Sequence, residues 1–349
     1  MISNLIYSND VDATLNAIVG GGNYNLVVVL VDENTRQLVL PRLPILNNTQ
    51  IIEIQSGDEN KNLTTLKSVW QQLENLGATR QSLLVNLGGG VVTDLGGMAA
   101  ATFKRGIHFV NVPTTLLAAV DAAVGGKTGI NFMGLKNEIG VFACAEDVIV
   151  STCFFDTLPP EELKSGFAEM LKHGMLSTHE EFLQLLETDF DNIDFENLLK
   201  ILQSSIQVKQ RIVEEDPTEK GLRKTLNLGH TVGHAFEMKA LDDSKPVSHG
   251  YAVAWGLVVE TVLSHMIKGF PSADLYSLAH FVRTNYGSFK ITCDDYDYLI
   301  GIMRHDKKSY NGEINCTLLK ACGEPLIDNT ISDDDIKAAL DIYRDLMGI

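Results

Sequence analysis

The sequence is poor in positive charge. Lys and Arg number 28 against 45 Asp and Glu, a formal net charge of −17. Nucleic acid or an anionic lipid surface would repel such a chain, which argues against a general binder of either, though not against a local basic pocket. Cysteine is sparse as well. The five residues Cys144, Cys153, Cys293, Cys316 and Cys322 are an odd number with no CxxC spacing. At this length that excludes a disulfide scaffold and fits a reducing compartment, the cytoplasm. Apolar runs are interrupted by Gly, Asp or Lys well before 18 residues, so no membrane span is expected. The opening MISNLIYSNDVDATL lacks the basic and apolar regions of a signal peptide. No internal repeat or low-complexity stretch is present.

What is there is an ordinary globular composition, 45% hydrophobic and 21% charged over 349 residues. That length exceeds one ordinary core and predicts two domains. Short runs rich in Val, Ile and Leu at 25–31, 82–87, 107–112 and 147–151 have the character of strands buried on both faces. Helical patterns such as 63–76 lie between them, so the first half reads as a parallel α/β sheet. Pro159-Pro160 marks a change. Beyond it the pattern is helical, notably at 195–214, 248–268 and 332–346, and 314–320 is the one strand-like run. The expected division is residues 1–157 and 158–349.

Two glycine segments invite a phosphate. Gly88-Gly89-Gly90-Val91-Val92-Thr93-Asp94 follows a predicted strand and opens a predicted helix. There, backbone N–H groups can approach a pyrophosphate. The third glycine of the dinucleotide fingerprint is replaced by Thr93, and the acid at a strand end is Asp32, earlier in the chain, so a plain tight turn stays open. Val124-Gly125-Gly126-Lys127-Thr128 looks like the end of a phosphate loop, but Asp121 stands where the first glycine belongs.

The histidines carry a different chemistry. His230 and His234 are four apart, on one helical face, a spacing that can hold a divalent metal. Position 231 is Thr, so the general base of HExxH is missing, and a hydrogen-bonded core histidine remains the alternative. His249 follows Pro246, and Glu169 lies in an apolar context where an acid needs a reason. Arg105, Lys127, Lys136, Lys172, Lys209, Arg223 and Lys307-Lys308 form a basic set that is either solvated surface or a pocket for phosphate and carboxylate.

Taken together, GGGVVTDLGG, VPTTLLAAVDAAVGGKTGIN, LKNEIG, FAEMLKHG, GLRKTLNLGHTVGHAFE and SHGYAVAWG resemble, in order, the motifs of the 3-dehydroquinate synthase family, sugar-phosphate cyclases of the shikimate pathway. The resemblance implies an α/β N-terminal Rossmann-like NAD-binding domain plus a mainly α-helical C-terminal metal-binding domain. It assigns Glu169, His230 and His249 to a divalent metal, Zn²⁺ or Co²⁺. His234 becomes a catalytic group, not a ligand. It assigns Asp32, Asn34, Asp58, Lys61, Gly89, Gly90, Val91, Asp94, Thr114, Thr115, Phe154, Thr157 and Leu158 to NAD, with Lys127 and Lys136 between NAD and substrate. Asp121, Asn137, Lys172, Lys209, Glu219, Arg223, Asn227 and Lys307 match substrate or catalytic positions. Arg105 matches an arginine that crosses a dimer interface, so a homodimer is implied.

The family's substrate is a small phosphorylated sugar acid, 3-deoxy-D-arabino-heptulosonate 7-phosphate. A sister cyclase and a metal-dependent polyol dehydrogenase of the glycerol-dehydrogenase type share the two-domain plan. The positions of Lys136-Asn137, Lys209 and Arg223 favour a substrate bearing a carboxylate. A binding protein without activity would have lost some of these residues.

Overall fold

The computed structural model describes residues 3–133, 135–305 and 313–349. The chain divides into two compact units. One comprises Met1–Pro159 with Asp194–Ile206, and the other Pro160–Ile193 with Gln207–Ile349.

The first unit begins with β1 (Asn4–Tyr7), α1 (Val11–Gly21), β2 (Leu26–Asp32), α2 (Glu33–Leu38), β3 (Gln50–Ile54) and α3 (Leu63–Asn75). It continues through β4 (Ser82–Gly88), α4 (Gly90–Thr102), β5 (His108–Pro113), β6 (Lys127–Phe132), β7 (Leu135–Phe142) and β8 (Asp147–Val150). Six strands form a parallel sheet in the order β1-β8-β5-β4-β2-β3. β4 is buried along its whole length, and Val28–Val31 of β2 are sealed from solvent. This is what continuous aliphatic runs do when helices cover both faces. Two buried amides pair with each other across neighbouring strands, Asn86 Nδ2 donating to Asn111 Oδ1 at 2.8 Å.

Chain direction decides where a ligand can sit. From β2 the chain steps outward to β3, then returns to the other side of β2 for β4 and continues away through β5 and β8. The order therefore reverses between β2 and β4. In open parallel sheets, ligands bind outside the carboxyl ends of strands at such a reversal. Here those ends are Asp32 and Gly88.

β6 and β7 form a separate antiparallel ribbon. The apparent phosphate loop is the turn into it. Gly125 and Gly126 have φ of 105° and 67°, and Lys127 starts a strand instead of a helix. No helix N-terminus follows, so this segment is not a nucleotide loop of the Walker type.

The second unit begins with α5 (Pro160–Leu176), α6 (His179–Leu186) and the later part of α7 (Phe195–Glu215), whose residues 195–206 group with the first unit. It continues through α8 (His230–Asp242), α9 (His249–Lys268), α10 (Ser272–Tyr286), α11 (Tyr296–His305), β9 (Ile314–Leu319), β10 (Pro325–Ile331) and α12 (Asp333–Met347). The expected lone strand has an antiparallel partner, β10, whose alternating half-buried pattern carries too few aliphatics to stand out in sequence.

α9 is the hub, packed by α5, α8, α10, α12 and β9. It corrects the expectation that no segment could span a membrane, since by length and composition it is apolar enough. Yet 78% of its apolar window is buried inside the protein. A helix that is apolar all round is the centre of a bundle when neighbours cover it.

Candidate active site

In the first unit the residues assigned to NAD gather after successive strand ends. Asp32 and Asn34 follow β2, Asp58 and Lys61 follow β3, Gly89 to Asp94 follow β4, and Thr114 and Thr115 follow β5. Phe154, Thr157 and Leu158 follow β8. Asp32 ends β2, the sheet neighbour of β4. Asp32 also serves its own helix. Its Oδ1 accepts from Thr35 N at 2.7 Å and from Thr35 Oγ1 at 2.8 Å, capping α2.

The glycine turn fits a pyrophosphate. α4 starts at Gly90 with Gly89 as N-cap, and no side chain caps it. Its first N–H groups are therefore available to an anion. A Cβ at Gly89 would come within 3.2 Å of Thr115 Cγ2, so side chains would crowd this approach. Thr114 Oγ1 is buried beside the turn without a hydrogen-bond partner among the described residues, while Thr114 N donates to Gly88 O at 3.0 Å. Phe154 differs from the rest: its ring lies in the core with Val11, Leu15 and Leu43, and its carbonyl accepts from Thr157 N and Oγ1.

Lys61 is nearly inaccessible and pairs with Asp94, and its Nζ donates to Asn137 Oδ1 at 2.6 Å. Lys136 Nζ lies 3.4 Å from Asp58 Oδ2. Sequence reasoning missed the residue that brings these together, Asn131. Its N donates to Lys61 O, its Nδ2 to Asp58 O, and its Oδ1 accepts from Asn137 N, all at 2.8–2.9 Å. The ribbon that carries Lys127, Lys136 and Asn137 is stitched to the 57–61 turn by this residue together with the Lys61–Asn137 and Lys136–Asp58 contacts. Asp121 lies in a π-helical turn, Ala118–Ala122, a distortion often kept at functional sites. Arg105 is exposed on the turn after α4, at φ 69°.

In the second unit, Glu169 of α5, His230 of α8 and His249 of α9 converge. Glu169 Oε1 is 3.4 Å from His230 Nε2 and 3.5 Å from His249 Nε2, and the donor atoms of the three lie within 4.8 Å of one another. Glu169 is completely buried, neither of its oxygens makes a well-formed hydrogen bond, and Lys172 one turn on pairs with it. Burial would raise the Glu169 carboxyl, but Lys172, then His230, override it and hold it well below the usual range. Burial lowers His230 to about 4 against the attraction of Glu169. His249 is also pushed down by burial, but its contacts with Glu169 and Glu237 outweigh this and lift it to about 9. An anionic carboxylate with two imidazole nitrogens facing it is a donor set suited to zinc or cobalt, one ligand short of zinc's usual four. The residues present fit the implied metal.

His234 lies one turn beyond His230, ring centroids 5.4 Å apart, and 6.0 Å from the ring of His249. It forms a second close group with Glu237 and His249. Lys209 and Arg223 are buried, Arg223 Nη1 donating to Pro217 O at 2.9 Å. Asn227 Nδ2 reaches Glu219 Oε1 at 3.3 Å. Lys307 lies outside the described residues.

Two supporting acids in this unit gave no sequence signal. Asp216 accepts from Lys220, Gly221 and Arg223 N–H groups and shapes the loop that presents Glu219 and Arg223. Glu260, buried in α9, accepts from Gly229 N at 2.6 Å and Val232 N at 3.1 Å. It caps α8 from outside, because Gly229, at φ 78°, offers no side chain to do so. The helix that presents His230 is thereby fixed to the helix that presents His249.

A parallel sheet with a ligand-ready glycine turn, together with a helical unit holding a carboxylate–imidazole metal set, defines the class of sugar-phosphate cyclases and polyol dehydrogenases. The solved structures agree on the fold. A 2-deoxy-scyllo-inosose synthase, in complex with carbaglucose-6-phosphate, NAD⁺ and Co²⁺, superposes with a TM-score of 0.84 at 22% identity, covering 97% of this chain and 96% of its own. The 2-epi-5-epi-valiolone synthase of Streptomyces hygroscopicus, with NAD⁺ and Zn²⁺ bound, gives 0.85 at 23% identity, over 99% and 97%. A probable glycerol dehydrogenase from Sinorhizobium meliloti gives 0.68 at 13%, over 99% and 98%.

Within that class the sequence is more specific. The family models for the 3-dehydroquinate synthase N-terminal and C-terminal regions match residues 51–165 and 166–309. The 3-dehydroquinate synthase of Parabacteroides distasonis is 44% identical over 348 residues, 99% of each chain. That of Pyrococcus furiosus is 44% identical over 266 residues, 76% of each. The chain belongs to the 3-dehydroquinate synthase family.

Proposed function

We propose that this protein is a 3-dehydroquinate synthase, a phosphorus–oxygen lyase that converts 3-deoxy-D-arabino-heptulosonate 7-phosphate to 3-dehydroquinate and phosphate, using NAD and a divalent metal ion, Zn²⁺ or Co²⁺. The observation that carries this reading is the buried Glu169 carboxylate facing Nε2 of His230 and His249, in a chain 44% identical throughout its length to such a synthase. When bound, the metal would supply polarisation of substrate hydroxyls and NAD a reversible hydride acceptor, which would make the reaction redox-neutral overall.

The chain's own groups then have separate roles. The N–H groups at Gly89, Gly90 and Val91 would hold the pyrophosphate, and Asp32 with Asn34 the adenosine ribose. Asp58, Lys61, Asp94, Thr114, Thr115, Phe154, Thr157 and Leu158 complete the NAD set. Lys127, Lys136 and Asn137 would meet the phosphate as it takes charge on leaving. Lys172, Lys209 and Arg223 would stabilise oxyanions and the substrate carboxylate, with Asp121, Glu219, Asn227 and Lys307 orienting hydroxyls. His234, beside the metal set but outside it, would carry protons between steps.

The protein is further proposed to act as a homodimer in the cytoplasm. The β6–β7 ribbon leaves Met133, Leu135 and Phe142 in water, Met133 87% and Phe142 67% exposed, apolar surface that a second copy would cover. Arg105, exposed in the same unit, would reach across. None of the five cysteines is in a disulfide, which suits a reducing compartment.

The test is phosphate release from the heptulosonate phosphate with NAD and Zn²⁺, followed together with absorbance at 340 nm. Phosphate without net NADH is the expected result. Steady NADH accumulation would instead make this a dehydrogenase, and no phosphate from a protein with both cofactors bound would point to a sister cyclase.

A further inference from the structure

We propose that Glu237 is a positioning residue of the metal centre, one that holds the His249 ring by Nδ1 so that Nε2 faces the metal as a lone-pair donor. The inference rests on the metal-centre reading above and deepens it.

His249 sits between two carboxylates on opposite sides of its ring. Nε2 lies 3.5 Å from Glu169 Oε1, and Nδ1 lies 3.5 Å from Glu237 Oε2. A neutral imidazole has one N–H and one lone pair, and a partner for one nitrogen decides which is which. A carboxylate at Nδ1 accepts the N–H there and leaves the lone pair on Nε2, the nitrogen that faces Glu169. His230 is oriented in the same sense by different means: its Nδ1 meets Leu228 O at 3.0 Å and its Nε2 faces Glu169 Oε1. Both histidines thus present Nε2, one fixed by a backbone carbonyl and the other by a side chain.

The placement explains why a side chain is needed. His249 is the first residue of α9, where the chain has only just entered the helix, and Ser248 before it makes no side-chain cap. Glu237 lies on α8, seven residues after His230 and three after His234, so all three share one helical stripe. Its side chain is 15% exposed, which limits competition from water for the Nδ1 proton. Partners of this kind tune ligand orientation and basicity, and losing one typically costs about 10–100-fold in metal affinity.

His234, Glu237 and His249 also bring their donor atoms within 4.8 Å of one another, so a second cation on this trio is the competing outcome. The experiment is zinc titration against a chromophoric chelator, reading both affinity and stoichiometry, on the wild type, Glu237→Ala and Glu237→Gln. One zinc per chain is expected throughout. Glu237→Ala should bind it about 10–100-fold more weakly, and Glu237→Gln, whose amide oxygen still accepts the Nδ1 proton, should recover most of the loss. Circular dichroism of the metal-free variants checks that the fold is intact, and Glu237→Met, which keeps the length of the side chain but cannot accept the Nδ1 proton, carries the test with the same expected loss if the Ala variant fails to fold. Wild-type affinity in both variants would overturn the role, as would two zinc ions per wild-type chain falling to one. A wild type that takes up no zinc would overturn the centre itself.

Discussion

The two units make their candidate sites from different material. In the first, the candidate nucleotide site is centred on the backbone N–H groups that open α4, among turns laid out where β2, β3, β4 and β5 end, and the sheet order says where it lies. In the second, the candidate metal centre is made of side chains sent from α5, α8 and α9, and each of the three groups is paired with another. A backbone site asks for small residues and one helix start. A side-chain site asks for a buried carboxylate, compensating cations and further acids that hold the helices. Both also lean on residues outside the candidate ligand sets, Asn131 in the first and Glu260 in the second.

The sharpest way to break this contrast lies within the second unit. His230→Ala should abolish stoichiometric zinc uptake and activity together. His234→Ala should keep most of its metal and lose turnover by about 10²–10⁴-fold, the range for a general acid–base group. Metal analysis of the two purified variants checks this, and equal metal loss in both would erase the division of roles.

Gly90→Val asks the same question of the first unit. A branched side chain at the start of α4 should push the pyrophosphate off the N–H groups. The loss of roughly 1.5–3 kcal/mol, one charged hydrogen bond, is about 10–100-fold in NAD affinity. Zinc uptake should be unchanged. Fluorescence titration with NADH and metal analysis of the same sample decide it, and a drop in zinc would mean that the sites are not separately built.

Smaller still is Glu260→Ala. It leaves Gly229 N and Val232 N buried without their acceptor, which should cost about 1–3 kcal/mol by urea unfolding. Zinc affinity should weaken alongside, because His230 begins the helix that Glu260 caps. A stability loss with unchanged zinc affinity would show that the cap serves the fold alone.

The gentlest probe is pH. His249, raised from 6.5 to about 9, contributes stability that is complete below its ordinary value and lost as pH climbs through 9. His230, lowered to about 4, contributes through its neutral form, complete above 6.5 and lost as pH falls toward 4. The Tm of chelator-treated protein should therefore fall on both sides of pH 6.5. Zinc should flatten the alkaline limb by standing in for the His249 proton. A Tm indifferent to pH between 6.5 and 9 without metal would remove the proposed charge on His249.

How much could be read from the sequence follows the same divide. The runs at 82–87 and 147–151 and the helices at 63–76 and 248–268 matched elements to within a residue, because one physical cause, dense apolar patterning, acts locally. β1, β3 and β7 gave no such signal. They are short or exposed, and tertiary pairing, not composition, makes them strands. Spacing alone offered His230 with His234 as a ligand pair. Glu169, from a helix sixty residues away, faces His230 and His249 instead, and the motif resemblance had named that trio. Asn131, Asp216, Glu237 and Glu260 were invisible because their work lies in contacts that no spacing rule encodes.

α9 has a consequence for synthesis. It leaves the ribosome with α5 and α8 already made, but α10, β9 and α12, which cover the rest of it, are still to come. The roughly 80 residues from Lys268 to Met347 take about 4–16 s at about 5–20 residues per second. For that interval the nascent chain displays an apolar helix long enough to be taken for a membrane segment. The order of translation thus leaves the hub of this unit only partly covered until its last packing helix, α12, is complete.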